Sequence, residues 1–352
     1  MPDFMIYGAN GYTGSLIARE AARRGTRPIL AGRQVDKIRT LAAELGMEHR
    51  VFSLDEPSAV AEGIRGVKVV LHCAGPFSRT SRPMADACLH MGTHYLDITG
   101  EEEVFEALAA RDAEAKSAGI ALLPGVGFDV VPSDCLAVHL KRRLPSATRL
   151  ALGFQGATAM SRGTSLTVVE GLPKGGLVRE NGVLRRVPFA WKTRVIDFGV
   201  GAAKAITIPW GDVSTAFYST AIPNIEFYAA VPWAARVAVR LIRGFGWLLG
   251  SRTVQKWLER RIRAGPPGPT DAERRQRRAH FWGEVTDEVG RRAAVRLQTP
   301  DGYDLTVLTS LAVVERVLSG AVSPGFQTPG MAFGPDFILE IAGVTRADEP
   351  IA

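Results

Sequence analysis

The most restrictive feature of the chain is its beginning, the stretch FMIYGANGYTGSLIARE from Phe4 to Glu20. Four apolar residues run into glycines at Gly8, Gly11 and Gly14, and a helical pattern follows at once. A strand, a glycine turn and a helix in that order form the variant GxxGxxG of the dinucleotide fingerprint. Its glycines permit a tight turn, let a pyrophosphate reach the backbone and let the first helix pack close to its strand. The phosphates then rest on the helix amino end, where unpaired N–H groups favour anions. Gly8, Asn10, Gly11, Tyr12, Thr13 and Gly14 are the residues of that turn. Alone the motif is weak, because glycines also gather merely to make turns. Its context raises it.

That context is regular β-α-β alternation. Strand-like runs occupy 4–7, 28–31, 50–54, 69–73, 94–98 and 120–124, with helical stretches between them. In DKIRTLAAEL, Ile38, Leu41, Ala42 and Leu45 share one helical face. Pro57 and Pro83 read as first-turn prolines of the third and fourth helices, and Gly119 as the stop of the fifth. The pattern predicts an α/β fold: an N-terminal Rossmann domain over 1–132, built on a doubly wound parallel sheet. From 133 to 352 the signals change to longer strands and hairpins, with turn signals at Glu180-Asn181-Gly182 and Asp301-Gly302. They predict a second α+β domain on a mostly antiparallel sheet, with helices after Gly163 and over 305–318 and C-terminal helices free to pack back on the first domain. The Pro/Gly-rich, then charged, stretch 264–280 reads as a mobile linker.

The second strand ends in LAGRQVDK. An NAD-selective site usually places an acid there, whereas this chain has Gly32 and Arg33, with Lys37 one turn later. A guanidinium suits a 2′-phosphate, so the cofactor indicated is NADP(H). Asp36 is near enough to serve a ribose if the loop folds differently, and a solvated surface arginine is the plainer alternative. The later strand ends should border the nicotinamide, since ligands of such sheets lie outside the carboxyl ends of the strands. They supply Ala74, Gly75, Pro76 and Phe77 in CAGPF, Thr99 and Gly100 in DITGE (with Glu101 a weaker candidate), and the run PGVGFDVVPSD.

At 352 residues, two domains or one elaborated domain are expected. The first strand begins almost at Met1, leaving no room for a leader, so the sequence reads as cytoplasmic, with a peripheral membrane site as the other possibility. Cys73, Cys88 and Cys135 show no metal or disulfide spacing, and no metal is indicated. The net charge of +7 is local. Eight basic residues and one acid between Ala229 and Arg263 account for all of it, which argues against a nucleic-acid partner. Within that segment Arg236, Arg240 and Arg243 recur on one helical face amid Trp233, Val237, Leu241, Phe245, Trp247 and Leu248. Three readings stay open: a membrane-interfacial helix, a helix that covers the core, or the wall of an apolar substrate channel. The arginines argue against a transmembrane span.

The segments YGANGYTG, LAGR, CAGPF, YLDITGE, GFDVVPSD, SRGTS (Ser161 to Ser165) and TPGMAFG together resemble the saccharopine dehydrogenase-like oxidoreductases, within them the trans-acting enoyl reductase type. The resemblance spans both domains and is dense to about Asp134. It implies an NADP-binding Rossmann domain, an α/β domain covering the nicotinamide, and reduction of a double bond in a lipid-like chain. The run before Thr164 reads Ser161-Arg162-Gly163, where the family usually has two glycines.

No Tyr-x-x-x-Lys pair and no HExxH is present, so hydride transfer needs only positioning and one proton donor. Asp129, Ser133 and Thr164, with Ser161 beside it, are the candidate catalytic residues. Asp129, just past the sixth strand, either keeps a raised pKa and donates a proton or fixes its loop by accepting backbone hydrogen bonds. Ser133 and Asp134 also read as the N-cap of a helix whose Leu136 and Leu140 are buried. His72 and His94 read as structural. The chain is thus expected to be an NADPH-dependent oxidoreductase acting on a hydrophobic small molecule. The other class is a non-catalytic NADP-binding protein at a lipid surface.

Overall fold

The computed structural model describes residues 3–156, 160–231 and 251–351. The chain divides into two units: Met1–Val131 with Tyr303–Phe333, and Pro132–Gly302 with Gly334–Ala352.

The first unit is the doubly wound sheet. Strands β1 (Phe4–Tyr7), β2 (Ile29–Gly32), β3 (His49–Val51), β4 (Val69–His72), β5 (His94–Asp97) and β6 (Ala121–Leu123) alternate with α1 (Tyr12–Arg23), α2 (Val35–Leu45), α3 (Pro57–Gly63) and α4 (Phe77–Met91). Two short helices, α5 (Glu102–Ala109) and α6 (Asp112–Ala118), separate β5 from β6. A late strand, β15 (Gly325–Phe326), adds to the edge, giving the order β15-β6-β5-β4-β1-β2-β3. All its pairings are parallel. Strands β1, β2 and β4 are short and buried on both faces, as covered parallel sheets require, whereas the edge strand β3 is largely exposed. In α2, Ile38, Leu41 and Ala42 are buried along the periodic face.

Two local expectations change. Pro57 does open α3, but Pro83 lies inside α4. That helix starts six residues earlier because the end of β4 leads directly into it. An interior proline costs about 3 kcal/mol through a lost hydrogen bond and a ring clash. Burial of Phe77, Ser81, Met84, Ala85 and Cys88 along the same helix offsets that cost. Gly119, at φ +69°, stops α6, since the fifth helix of the sequence pattern is broken at Ala110-Arg111 into α5 and α6.

The second unit opens with α7 (Val131–Arg143) and builds a nine-stranded sheet from β7 (Arg149–Gln155), β8 (Gly176–Glu180), β9 (Val183–Val187), β10 (Thr193–Asp197), β11 (Ala202–Thr207), β12 (Asn224–Ala230), β13 (Arg278–Thr286), β14 (Arg292–Pro300) and β16 (Thr345–Asp348). The main path runs β10-β11-β12-β7-β13-β14-β16. Only β12 and β7 pair in parallel, and the rest of the sheet is antiparallel. Leu136 and Leu140 of α7 seat on the sheet at Gly283, where a Cβ would lie 2.7 Å from Leu140 Cδ1. The β8–β9 hairpin turns at Asn181-Gly182, both at positive φ, as the sequence signal requires.

Asp301-Gly302 is not a hairpin turn. There β14 passes into the helix Gly302–Leu318. The β13–β14 turn closes instead on Asp287, whose carboxylate accepts from Arg291 N at 2.9 Å, Arg291 Nε at 2.7 Å and Ser146 Oγ at 2.9 Å. The stretch read as a linker carries the helix Asp271–Gln276, fixed by a capping box between Thr270 and Glu273. Strands β10, β11 and β16 carry too weak an alternation to be read from sequence. Of the basic segment 229–263, residues 232–250 lie outside the described residues. The helix Arg252–Ala264 lies within them. No helix among the described residues is long and apolar enough to cross a membrane.

Candidate functional site

The first unit presents the carboxyl ends of its strands as one edge. At β1, Gly8 sits at φ +83°, and a Cβ there would lie 2.8 Å from Ala74 N and Cβ at the end of β4. A Cβ on Gly14 would lie 2.4 Å from Gly8 O. Both glycines therefore serve close backbone packing. Gly11 differs: a Cβ there would press on Gly8 O at 3.2 Å and meet no other atom within 4 Å, so the space beyond that contact is open. The turn is closed by Gly11 N donating to Gly8 O at 2.9 Å, and Gly8 N is tied to Ala31 O at 2.7 Å. Gly11 has no side chain with which to cap α1, and the N–H groups of Thr13 and Gly14 meet no acceptor among the described residues. Such a helix end takes an anion.

At β2, Asn10 bridges to the following loop. Its Nδ2 donates to Gln34 Oε1 at 3.0 Å, and its Oδ1 fills the space where a Cβ on Gly32 would stand. Arg33 and Lys37 are both exposed, and neither joins an ion pair among the described residues. A glycine cradle with two uncommitted cations beside it fits a dinucleotide carrying a 2′-phosphate.

The amino end of α4 is treated differently. Glu101 accepts from Phe77 N at 2.8 Å and Ser78 N at 2.7 Å, so a carboxylate already occupies this helix end. Thr80 Oγ1 donates to Ala74 O at 2.7 Å and to Pro76 O at 3.0 Å, fixing the Ala74–Phe77 bend. Of these two helix ends, that of α1 is the one left for phosphate.

Behind β5 lies a buried polar network. Asp97 Oδ1 accepts from Thr99 N at 3.0 Å and Gly125 N at 2.9 Å, while Oδ2 accepts from Tyr95 OH at 2.6 Å. Burial outweighs these bonds and pushes the Asp97 carboxyl up to about 6. Thr99 Oγ1 in turn accepts from Glu101 N at 3.0 Å. Gly100 makes room for Asp129: a Cβ on that glycine would stand 2.7 Å from Asp129 Oδ2. Gly100 is expected from the sequence to border the nicotinamide, and its missing side chain also accommodates the Asp129 carboxyl.

Asp129 forms no hydrogen bond or ion pair among the described residues. Desolvation, with the nearby Glu101 carboxylate, pushes its carboxyl up to about 7. The alternative in which Asp129 fixes its loop by accepting backbone N–H groups is therefore not what the structure holds. The loop is held from elsewhere. Thr306 Oγ1 accepts from Phe128 N at 3.0 Å, and Thr309 Oγ1 donates to Val126 O at 2.8 Å, both from the helix Gly302–Leu318. The same helix brings Tyr303 edge-on to Tyr12, with ring centroids 5.0 Å apart.

The histidines stay structural. His94 Nδ1 accepts from Ala121 N at 3.0 Å. His72 is fully buried without a partner for either ring nitrogen, packed on Tyr7, Phe77 and Tyr95, and burial pushes it down to about 3.

Ser133 and Thr164 belong to the second unit. Ser133 is not an N-cap, since α7 begins at Val131; its buried hydroxyl donates to Asp212 Oδ2 at 2.7 Å. Asp134 likewise lies within the helix and accepts from Ser219 Oγ at 2.6 Å. Ser161 Oγ accepts from Thr164 N at 3.2 Å and lies 3.1 Å from Thr164 Oγ1, a capping arrangement for the helix Arg162–Gly171. Asp97, Tyr303, Thr306 and Thr309 were not singled out from sequence. The last three lie in a helix far along the chain, and no local spacing signals its return to the first unit.

Comparison with known proteins agrees with this geometry. Residues 4–123 match the family model described as saccharopine dehydrogenase NADP binding domain. A trans-acting enoyl reductase of Mycobacterium leprae is 33% identical over 150 residues, 40% of this chain and 36% of that protein. A saccharopine dehydrogenase-like oxidoreductase of Bos taurus is 25% identical over 217 residues, 55% of this chain and 46% of the relative. The matched segments thus span less than half of these relatives. The apo saccharopine dehydrogenase (L-Glu forming) of Saccharomyces cerevisiae has a similar fold, with a TM-score of 0.69 at 10% identity over 99% of this chain and 100% of that one. With its uncapped glycine turn and its open cations, the segment 4–123 is an NADP-binding domain of the saccharopine dehydrogenase type.

Proposed function

We propose that the protein is an NADPH-dependent oxidoreductase that reduces an activated carbon–carbon double bond in a hydrophobic, lipid-like acyl substrate, with Asp129 as the proton donor. The observation that carries this reading is the Asp129 carboxyl, partnerless and with a pKa near 7 at the strand-end edge. An acid that is half protonated near neutral pH is suited to give up a proton and recover it from water. NADPH, when bound, supplies the hydride. The chain's own residues do the rest. The glycine turn and α1 hold the phosphates, Arg33 and Lys37 meet the 2′-phosphate, and Asp129 Oδ2 holds the proton. The enoyl substrate class is supported by the name of the mycobacterial relative and by the apolar residues around the basic segment.

Turnover of NADPH with enoyl thioesters of increasing chain length tests this reading. Oxidation should rise with chain length, and Asp129→Asn should lower it by about a hundredfold while leaving NADPH binding intact. An Asp129→Asn protein within a few-fold of the parent would remove Asp129 from the chemistry.

A lipid surface is the partner we propose beside the substrate. The exposed face of the helix Arg252–Ala264 carries Lys256, Arg260, Arg261 and Arg263, none of them in an ion pair among the described residues. Trp257 stands among them, 55% exposed, with the Arg261 guanidinium 5.3 Å from its ring centroid. Cations around an exposed tryptophan suit an anionic membrane interface.

A further inference from the structure

Three features meet at the Asp129 loop without a role assigned to their meeting. Glu101 is a carboxylate whose two oxygens are both taken by the first N–H groups of α4. Its own N–H is tied to Thr99 Oγ1 at 3.0 Å, and Thr99 N is tied to buried Asp97. The intervening residue, Gly100, is the one against which the Asp129 carboxyl packs. The segment 97–101 is thus held at both ends, by a buried acid below and a helix amino end above. Asp129 rests on its middle.

We propose that Glu101 is a positioning residue for Asp129: its clamped carboxylate fixes the Thr99–Glu101 loop under Asp129 and, as a nearby negative charge, keeps the Asp129 proton in place. The inference rests on the reading of Asp129 as proton donor and adds the charged group that acts on it beside burial. A carboxylate free in solvent would be screened and would swing away. Bound to two backbone N–H groups, Glu101 is held in one place. Asp129 packs against Gly100, the residue next to Glu101, and of two carboxyl groups whose charges oppose each other the one without hydrogen-bond donors is the one that keeps the proton. That one is Asp129. The other titratable groups of these strand ends, Tyr7, His72, Cys73, Tyr95 and Asp97, are directed by burial toward their neutral forms, and no cation among the described residues acts on Asp129 to oppose Glu101. From the helix Gly302–Leu318 the contribution is uncharged, the Thr306 hydroxyl that binds Phe128 N.

The test follows the aspartate carboxyl carbons by NMR in the full-length protein, with the Asp129 signal assigned by its loss in Asp129→Asn. In the parent, Asp129 should titrate well above the ordinary carboxylate range. Glu101→Gln keeps the size and an acceptor for α4 but removes the charge, and should weaken proton binding at Asp129 by about tenfold. Glu101→Asp keeps the charge and should restore most of that loss, which also keeps the test usable should the glutamine variant fold poorly. The alkaline limb of NADPH oxidation should move in parallel, which a merely structural cap would not produce. If Asp129 titrates in Glu101→Gln as in the parent, Glu101 has no hold on it and the proposal is overturned, while the donor reading stands. An Asp129 that titrates as an ordinary carboxylate in the parent would sink the donor reading itself, and this inference with it.

Discussion

Replacing Asp129 by Asn should make the protein more stable, and increasingly so as pH rises. The parent carboxyl has an ordinary pKa of 3.8 when unfolded and is pushed to about 7 when folded. A group that binds its proton more tightly in the folded state adds stability in full below about pH 4. That contribution is lost progressively as pH climbs through the folded value. Asparagine has nearly the same shape and does not titrate. Relative to the parent, Asp129→Asn should therefore gain almost nothing at pH 3, roughly 1–2 kcal/mol at pH 5 and up to about 4 kcal/mol at pH 8 if desolvation acts in full. Asp129 is partly exposed, so solvent screening reduces the last figure, and about 2–3 kcal/mol is the working expectation. Urea unfolding of parent and variant at pH 5 and pH 8, on one buffer series of constant ionic strength, measures the difference directly. Background titration cancels between the two proteins. If the gain from the substitution is the same at both pH values, Asp129 is not desolvated, and the argument for a poised proton donor loses its foundation.

Three further outcomes are expected. Gly11→Val should abolish NADPH binding measured by calorimetry, because the open space above Gly11 is where a phosphate must approach the backbone; unchanged affinity would refute the cradle. Arg33→Ala should weaken NADPH by roughly 10- to 100-fold, the loss of a charge-assisted contact, and leave NADH nearly untouched. Equal losses would mean that Arg33 does not read the 2′-phosphate. The protein should float with anionic vesicles at low salt and partly release near physiological ionic strength, where the Debye length is about 8 Å. Glutamine at Lys256, Arg260 and Arg263 together should remove most of that binding; a parent protein that never floats would leave this helix face simply solvated.

The Rossmann half was legible because its signals are local. Alternation of strand and helix is written in periodicity, and a turn that packs backbone on backbone and leaves a helix end open for phosphate writes its need as missing side chains at Gly8, Gly11 and Gly14. Arg33 could be placed because it follows the second strand directly. Within the second unit the Asn181-Gly182 turn was readable for the same reason, since two successive positive φ values demand such residues.

What tertiary structure alone decided is which distant groups share the edge. Pro83 could be buried mid-helix because packing along α4 outweighs a local propensity. Glu101 occupies the amino end of α4 across 24 residues of chain, a contact no spacing rule announces. The helix Gly302–Leu318 reaches the loop after β6 from 178 residues away, and without it Phe128 N would lack its acceptor and the Asp129 loop its support. Sequence periodicity records which side of an element is buried, and it does not record against what. That second fact is settled only when the chain closes its long loops and the buried polar groups find their partners. The sequence by itself therefore determined the cofactor cradle, whereas the environment that keeps a proton on Asp129 is a product of the fold.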